Sequence, residues 1–197
     1  MSKIFQKLEQ EAFRAGINPR TEESRKWFME KASDLGKINR RRLMNEAPLI
    51  RRNREKVGAM MMFFYDPKLK DQLPYYDRFP LVIVVGPAEG GFYGLNLHYI
   101  PPVYRAKLLD QLMDFTNNTR YDETTRFKLK YDLLNRVAGM RWFKPCFKHY
   151  LDAHVASQFA FVPAPEWEIA TFLPTAMWKK AKGERIYKDS RRLAYGR

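Results

Sequence analysis

The chain has 197 residues, 45% of them hydrophobic and 15% aromatic, which suits one ordinary core and not two. Its formal net charge of +14 and pI near 9.9 predict a positive surface potential that draws polyanions, with nucleic acid the first partner to expect. A membrane span is excluded by apolar runs no longer than Met60 to Tyr65, a secretory leader by the polar and charged Gln6, Lys7, Glu9 and Glu11, and a disulfide framework by the lone Cys146, a small buried hydrophobe in a reducing compartment.

Ile4, Phe5, Leu8, Ala12 and Phe13 recur at helical spacing up to the break at Gly16-Ile17-Asn18-Pro19. Thr21 then reads as an N-cap, with Glu22 and Glu23 complementing the first turn. The helix it starts carries Trp27, Phe28, Leu35, Ile38 and Leu43 on a loose apolar stripe. Its far end is basic: Lys37, Arg40, Arg41, Arg42, Arg51, Arg52, Arg54 and Lys56 outweigh Glu46 and Glu55 by about +6. Residues 1–57 are thus expected to form a basic helical N-terminal arm.

From Gly58 the pattern changes. Ala59 to Tyr65 and Phe79 to Val85 are compact apolar runs closed by Asp66-Pro67 and Gly86-Pro87, and they read as buried strands. After Gly90-Gly91 a third strand alternates Phe92, Gly94, Asn96 and His98 with Tyr93, Leu95, Leu97 and Tyr99, so Val82 to Tyr99 is an expected hairpin. The three strands predict a small SH3-like antiparallel core within an α+β domain spanning residues 58–178, with Asp66 to Asp77 as a long loop.

Pro101-Pro102 opens a helix with Val103, Ala106, Leu109, Leu112 and Met113 on its apolar side, ended by Asn117-Asn118. Asp122 or Thr124 caps a further expected helix through Phe127, Leu129, Leu133, Leu134 and Val137, stopped at Gly139. Another is predicted from Pro145 through Phe147, Tyr150, Leu151 and Val155. Gln158 to Val162 and Trp167 to Leu173 read as strands closed by Pro163 and Pro174, completing a sheet from distant segments. Residues 179–197 form a basic, extended C-terminal tail. Its Lys179, Lys180, Lys182, Arg185, Lys188, Arg191, Arg192 and Arg197 again outweigh Glu184 and Asp189 by about +6.

Clustered Lys and Arg neutralise phosphates and release counterions, which gives affinity without sequence reading. The expected phosphate contacts are Lys37, Arg40, Arg41, Arg42, Arg51, Arg52, Arg54, Lys56, Lys179, Lys180, Arg191 and Arg192. Tyr75, Tyr76, Phe79, Phe92, Tyr93 and Tyr99 crowd the sheet; most belong in the core, while rings beside Arg78 and Arg105 have the chemistry to stack on bases of a frayed end.

Chemistry is poorly represented. Cys146 and His149 share a face if helical, but His154 turns away, leaving a zinc set incomplete. His98 is a structural histidine or a phosphate contact, and Asp66, Asp71 and Asp77 lie in a loop without the partner base a metal-dependent nuclease needs. No phosphate-cradling glycine loop, nucleophile elbow or zinc-protease motif is present. The pattern therefore predicts a non-enzyme without metal or cofactor.

Phe64 to Lys68, Leu73 to Leu81, Gly91 to Pro102 with Arg105, Trp167 to Pro174, and Lys188 to Arg192 together resemble small virion proteins of large contractile-tailed, T-even-type bacteriophages. Within that group they look most like DNA end protector and head completion proteins. The likeness runs from about residue 57 to the C-terminus. It implies a virion component at the head-to-tail passage that touches the packaged genome's end and shields it from host exonuclease, alongside portal, neck or tail subunits in a symmetric assembly. The rival expectation is a neck, tail or baseplate connector whose basic arms clamp acidic neighbours without meeting DNA.

Overall fold

Met60 and Met62 face one way from their strand and Met61 the other, yet all three are sealed from solvent. An antiparallel strand buried on both faces needs two covering layers, and that requirement organises the molecule. The computed structural model describes residues 4–117, 120, 122, 132–134, 136–137, 139–140 and 143–195. Helices α1 (Ile4–Arg14), α2 (Glu22–Ser33) and α3 (Arg40–Leu43) precede strands β1 (Ile50–Arg52), β2 (Met60–Met62) and β3 (Tyr76–Asp77). The hairpin β4 (Leu81–Ala88) and β5 (Gly91–Asn96) leads to α4 (Pro102–Asn117), and then β6 (Phe147–Leu151) and β7 (Phe159–Val162) follow. Last come α5 (Trp167–Phe172), β8 (Trp178–Lys179) and α6 (Gly183–Tyr195).

The α+β class is as expected, and the sheet is indeed completed from distant segments. It is larger than the small SH3-like core anticipated: six strands in the order β1-β7-β2-β4-β5-β6, each neighbouring pair antiparallel, with β3 and β8 forming a separate ribbon. The hairpin turns on Glu89 and Gly90, whose φ of +67° suits glycine. Gly91 is required for a different reason, since a Cβ there would stand 1.9 Å from the Tyr150 carbonyl oxygen on β6.

On one face, Met60, Met62, Leu81, Ile83, Leu95 and Val162 pack against the helices. On the other, Phe63 is the hub of an aromatic cluster, meeting Tyr65, Phe92, Tyr150 and Phe159 edge-on at centroid separations from 5.0 to 6.2 Å. Phe79, Phe92 and Tyr99 are core residues, while Tyr93 points outward.

The helix expected from Thr21 through Leu43 ends at Ser33, with Leu43 on the separate α3, and Ile50–Arg52 of the expected helical arm is strand β1, paired with β7. Three further segments correct the sequence reading. Residues 147–151 are a strand and not a helix, because pairing with β5 outweighs the start signal of Pro145, which opens only a short 3-10 turn. Cys146 and His149 therefore share no helical face. Trp167 to Phe172 is a helix and not a strand, for a short run buried on every side carries no readable period. The tail is helical, not extended: Ile186, Ser190 and Ala194 recur every four residues and are buried as one stripe of α6. Asn118, Thr124, Phe127, Leu129 and Arg197 lie outside the described residues; Leu133, Leu134 and Val137 of the expected 122–139 helix are helical and buried.

The first helices join the same core through Phe5, Leu8, Ala12 and Phe28. Thr21 caps α2 as expected, in a reciprocal capping box with Ser24. Two carboxylates fix these helices in place. Glu46 accepts from the backbone N–H groups of Ile4 and Phe5 at 3.0 and 3.2 Å, at the positive end of α1. Buried Glu168 accepts from Arg20 N at 2.8 Å and Ser24 Oγ at 2.6 Å and pairs with Arg25, whose guanidinium also meets Asp110 on α4.

Candidate nucleic-acid interface

The basic residues divide by what their nitrogen atoms touch. Arg105 is buried and donates to the carbonyls of Ile100, Thr171 and His98 and to the Tyr187 hydroxyl, at 2.6 to 3.3 Å. Arg40 donates to the carbonyls of Thr175 and Ala176 at 2.7 and 2.8 Å. Lys180 lies across the 66–75 loop, donating to the carbonyls of Lys70, Asp71 and Leu73 at 2.7 to 3.1 Å. These three cations hold the fold together, and in Arg105 the structure leaves no guanidinium face to stack on a base.

A second group converges. Arg41 from α3, Arg51 from β1 and Arg78 from the segment before β4 line one cleft of about 370 Å³, together with Met44, Asn45, Phe64, Ala156 and Ser157. Local order explains the placement. Asn39 caps α3 by accepting from Arg42 N, which sets Arg41 on the exposed side of that turn. Arg51 is steered by a 2.8 Å bond from Nη1 to Asn45 Oδ1. Arg78 is fixed by its backbone, which accepts from Tyr65 N and donates to Met177 O at 3.0 Å. Phe64 N donates to Ser157 Oγ at 2.9 Å, closing the opposite wall.

Arg51 also belongs to an adjoining cleft with Arg52, Asn53, Arg54, Lys56 and Gln158 and a single carboxylate, Glu55. Arg52 stacks 5.4 Å from the Phe161 ring, leaving its edge free. Among the described residues, Arg41, Arg51, Arg52, Arg54, Lys56 and Arg78 make no ion pair. The Nε of Arg78 is sealed from solvent and has no hydrogen-bond partner. Asp66, whose pKa is lowered by its bond to Lys70 and by the fields of Arg78 and His154, is held by Lys70 at 2.9 Å.

The remaining expected contacts lie elsewhere. Lys37 and Arg42 line a cleft with Lys7 and Glu46. Lys179 is exposed on β8, and Arg191 and Arg192 are exposed on α6, which packs against the 97–99 and 144–146 turns. Asn45, Phe64 and Ser157 were not foreseen as cleft walls, and no local signal marks them: only the tertiary fold brings residues 45, 64 and 157 together.

One array resembles a catalytic relay. His98 Nδ1 lies 2.6 Å from Asp77 Oδ2, and its Nε2 lies 3.1 Å from Thr175 Oγ1. All three side chains are buried, and Asp77 also accepts from Phe79 N and Met177 N at 3.0 and 2.8 Å. None of the three side chains is exposed to solvent. Of the two readings left open for His98, the structural one holds. No group of three or more His, Cys, Asp or Glu able to hold a metal ion occurs among the described residues.

Residues 3–192 match the family model described as phage T4 terminal DNA protecting protein, so the likeness takes in the N-terminal helices as well as the sheet. No curated protein and no solved structure matches the chain.

Proposed function

The chain belongs to the phage T4 terminal DNA protecting protein family, and from that premise we propose that it binds the end of a linear phage genome through the paired basic clefts and shields that end by occupying it. The observation that carries this reading is the set of six unpaired cations, Arg41, Arg51, Arg52, Arg54, Lys56 and Arg78, gathered from separate segments onto clefts that share Arg51. Like charges accumulate on one surface at a cost in mutual repulsion, which an anionic partner reverses. Arginine suits the role, since its planar fork grips phosphate oxygens in pairs.

Protection requires no chemistry, only a stable complex where a nuclease must enter. The direct test is digestion of linear duplex by a processive exonuclease with and without the purified chain. Slowed digestion from ends, with unchanged incision of circular DNA by an endonuclease, supports the reading. Equal digestion with and without the chain at low salt rejects it.

Residence in the virion at the head-to-tail passage, beside portal or tail subunits, belongs to the same proposal. Phe13 on α1 and Leu193 on α6, 85% and 65% exposed, give such neighbours apolar side chains to cover. Co-sedimentation with DNA-free heads would favour contact through protein, and co-sedimentation only with filled heads would favour contact through the genome.

A further inference from the structure

We infer, resting on the DNA-end reading, that the Arg41, Arg51 and Arg78 cleft is the seat of a terminal phosphate: it takes the phosphomonoester at a chain end and not a link of the backbone. Charge comes first. A phosphomonoester carries about −1.5 to −2 and three terminal oxygen atoms, where a backbone diester has one charge and two. Three guanidinium groups that form no ion pair, in a cleft lined by no carboxylate, match the former.

Shape points the same way. The cleft is recessed, with Met44 and Phe64 in its lining and Ala156 and Ser157 on one wall. A phosphate inside a continuous strand is flanked by sugars on both sides and meets a protein best on an open surface. A group at the end of a strand can enter a recess. The Nε of Arg78 makes no hydrogen bond within the fold, so this guanidinium lacks the carbonyl partners that fix Arg40 and Arg105.

The adjoining cleft then has a simple purpose. Through Arg51 it continues the path to Arg52, Arg54 and Lys56, where the strand leading away from its end meets further exposed cations. The nearby Asp66 carboxylate does not compete for the site, since Lys70 holds it.

The test uses the full chain and a DNA hairpin with one blunt end, prepared with a 5′-phosphate, with a 3′-phosphate, or with hydroxyl groups at both positions. Affinity is measured at fixed salt, with inorganic phosphate as a competitor. We expect one phosphorylated end to bind about tenfold more tightly than the hydroxyl end, the gain of one well-made charged contact set; which of the two it is identifies the strand. Arg78→Gln and, on the exposed rim, Arg41→Gln should each weaken the phosphorylated end more than the hydroxyl end, so that the ratio between the two falls from about ten toward one. Equal affinity for all three ends overturns the inference and leaves end binding intact. Persistent preference in both variants overturns the assignment to this cleft. Failure to bind any of the three removes the DNA-end reading itself.

Discussion

His98 and Asp77 face each other across 2.6 Å with both side chains sealed from solvent. Burial alone would raise the Asp77 pKa, but His98 and the N–H groups of Met177 and Phe79 overcome it and hold the carboxyl below its ordinary range. Burial keeps His98 below its ordinary value despite that neighbour, so the pair is a carboxylate receiving a proton bond from a neutral imidazole. Asp77→Ala leaves three donors without an acceptor and should cost about 3 kcal/mol or more in urea unfolding. Both groups also make the fold acid-sensitive. The stability His98 lends is lost as pH falls from about 6.5 toward its lowered folded value, and that of Asp77 as pH falls below about 4. His98→Asn should flatten the upper part of that decline. If it does not, the imidazole is already charged at neutral pH.

Much of this centre was legible in the chain. The runs Met60 to Met62 and Leu81 to Val85 announce strands buried on both faces, because alternation disappears when neither face meets water. Gly90-Gly91 announces its turn. Phe147 to Leu151 was misread because its fate depends on an edge offered by β5, more than fifty residues earlier. Trp167 to Phe172 was misread because Glu168, which should have flagged a special position, looks like any surface glutamate until Arg25 and Ser24 arrive from α2. The basic clusters were visible as charge. What composition could not divide is Arg40 from Arg41, adjacent in sequence, one tied to carbonyls and the other facing an open cleft.

Lys180 makes that division measurable. It sits at φ +67°, a conformation that disfavours side chains, and its Nζ satisfies three carbonyls of the 66–75 loop. Lys180→Ala should loosen the loop, with about 1 kcal/mol lost, since exposed carbonyls recover part of the bond from water. Amide exchange at residues 70–73 should quicken. DNA affinity should hardly move, in contrast to the cleft arginines. A large fall in affinity without faster exchange would return Lys180 to the interface.

Glu166 titrates in the opposite sense to His98. Burial, together with the nearby Glu9 carboxylate, pushes its pKa up to about 7, and its Oε2 has no partner. A folded pKa raised above the unfolded one means that the fold binds this proton more tightly. The contribution is therefore present below about pH 4.5 and is lost as pH rises through 7. Glu166→Gln should stabilise the protein at pH 8 by about 1 kcal/mol, once screening by nearby solvent is allowed for, and change little at pH 4. Urea midpoints at the two pH values decide it: an equal shift at both would mean that packing, not ionisation, separates the variants.

The reach of the interface can be read from salt dependence. Each phosphate neutralised on duplex DNA contributes about 0.9 to the slope of log affinity against log salt. Arg52 and Arg54 lie on the cleft that continues from Arg51 and have no carboxylate partner among the described residues. Replacing both with Gln should lower the slope by about two. Arg191 and Arg192 are equally exposed but stand on α6, packed on the 97–99 and 144–146 turns, so the same replacement there should leave the slope nearly unchanged. The comparison separates local geometry from net charge, since both double variants remove two cations. Equal losses would mean that the end is gripped by the whole positive surface, and that the clefts have no special claim on it.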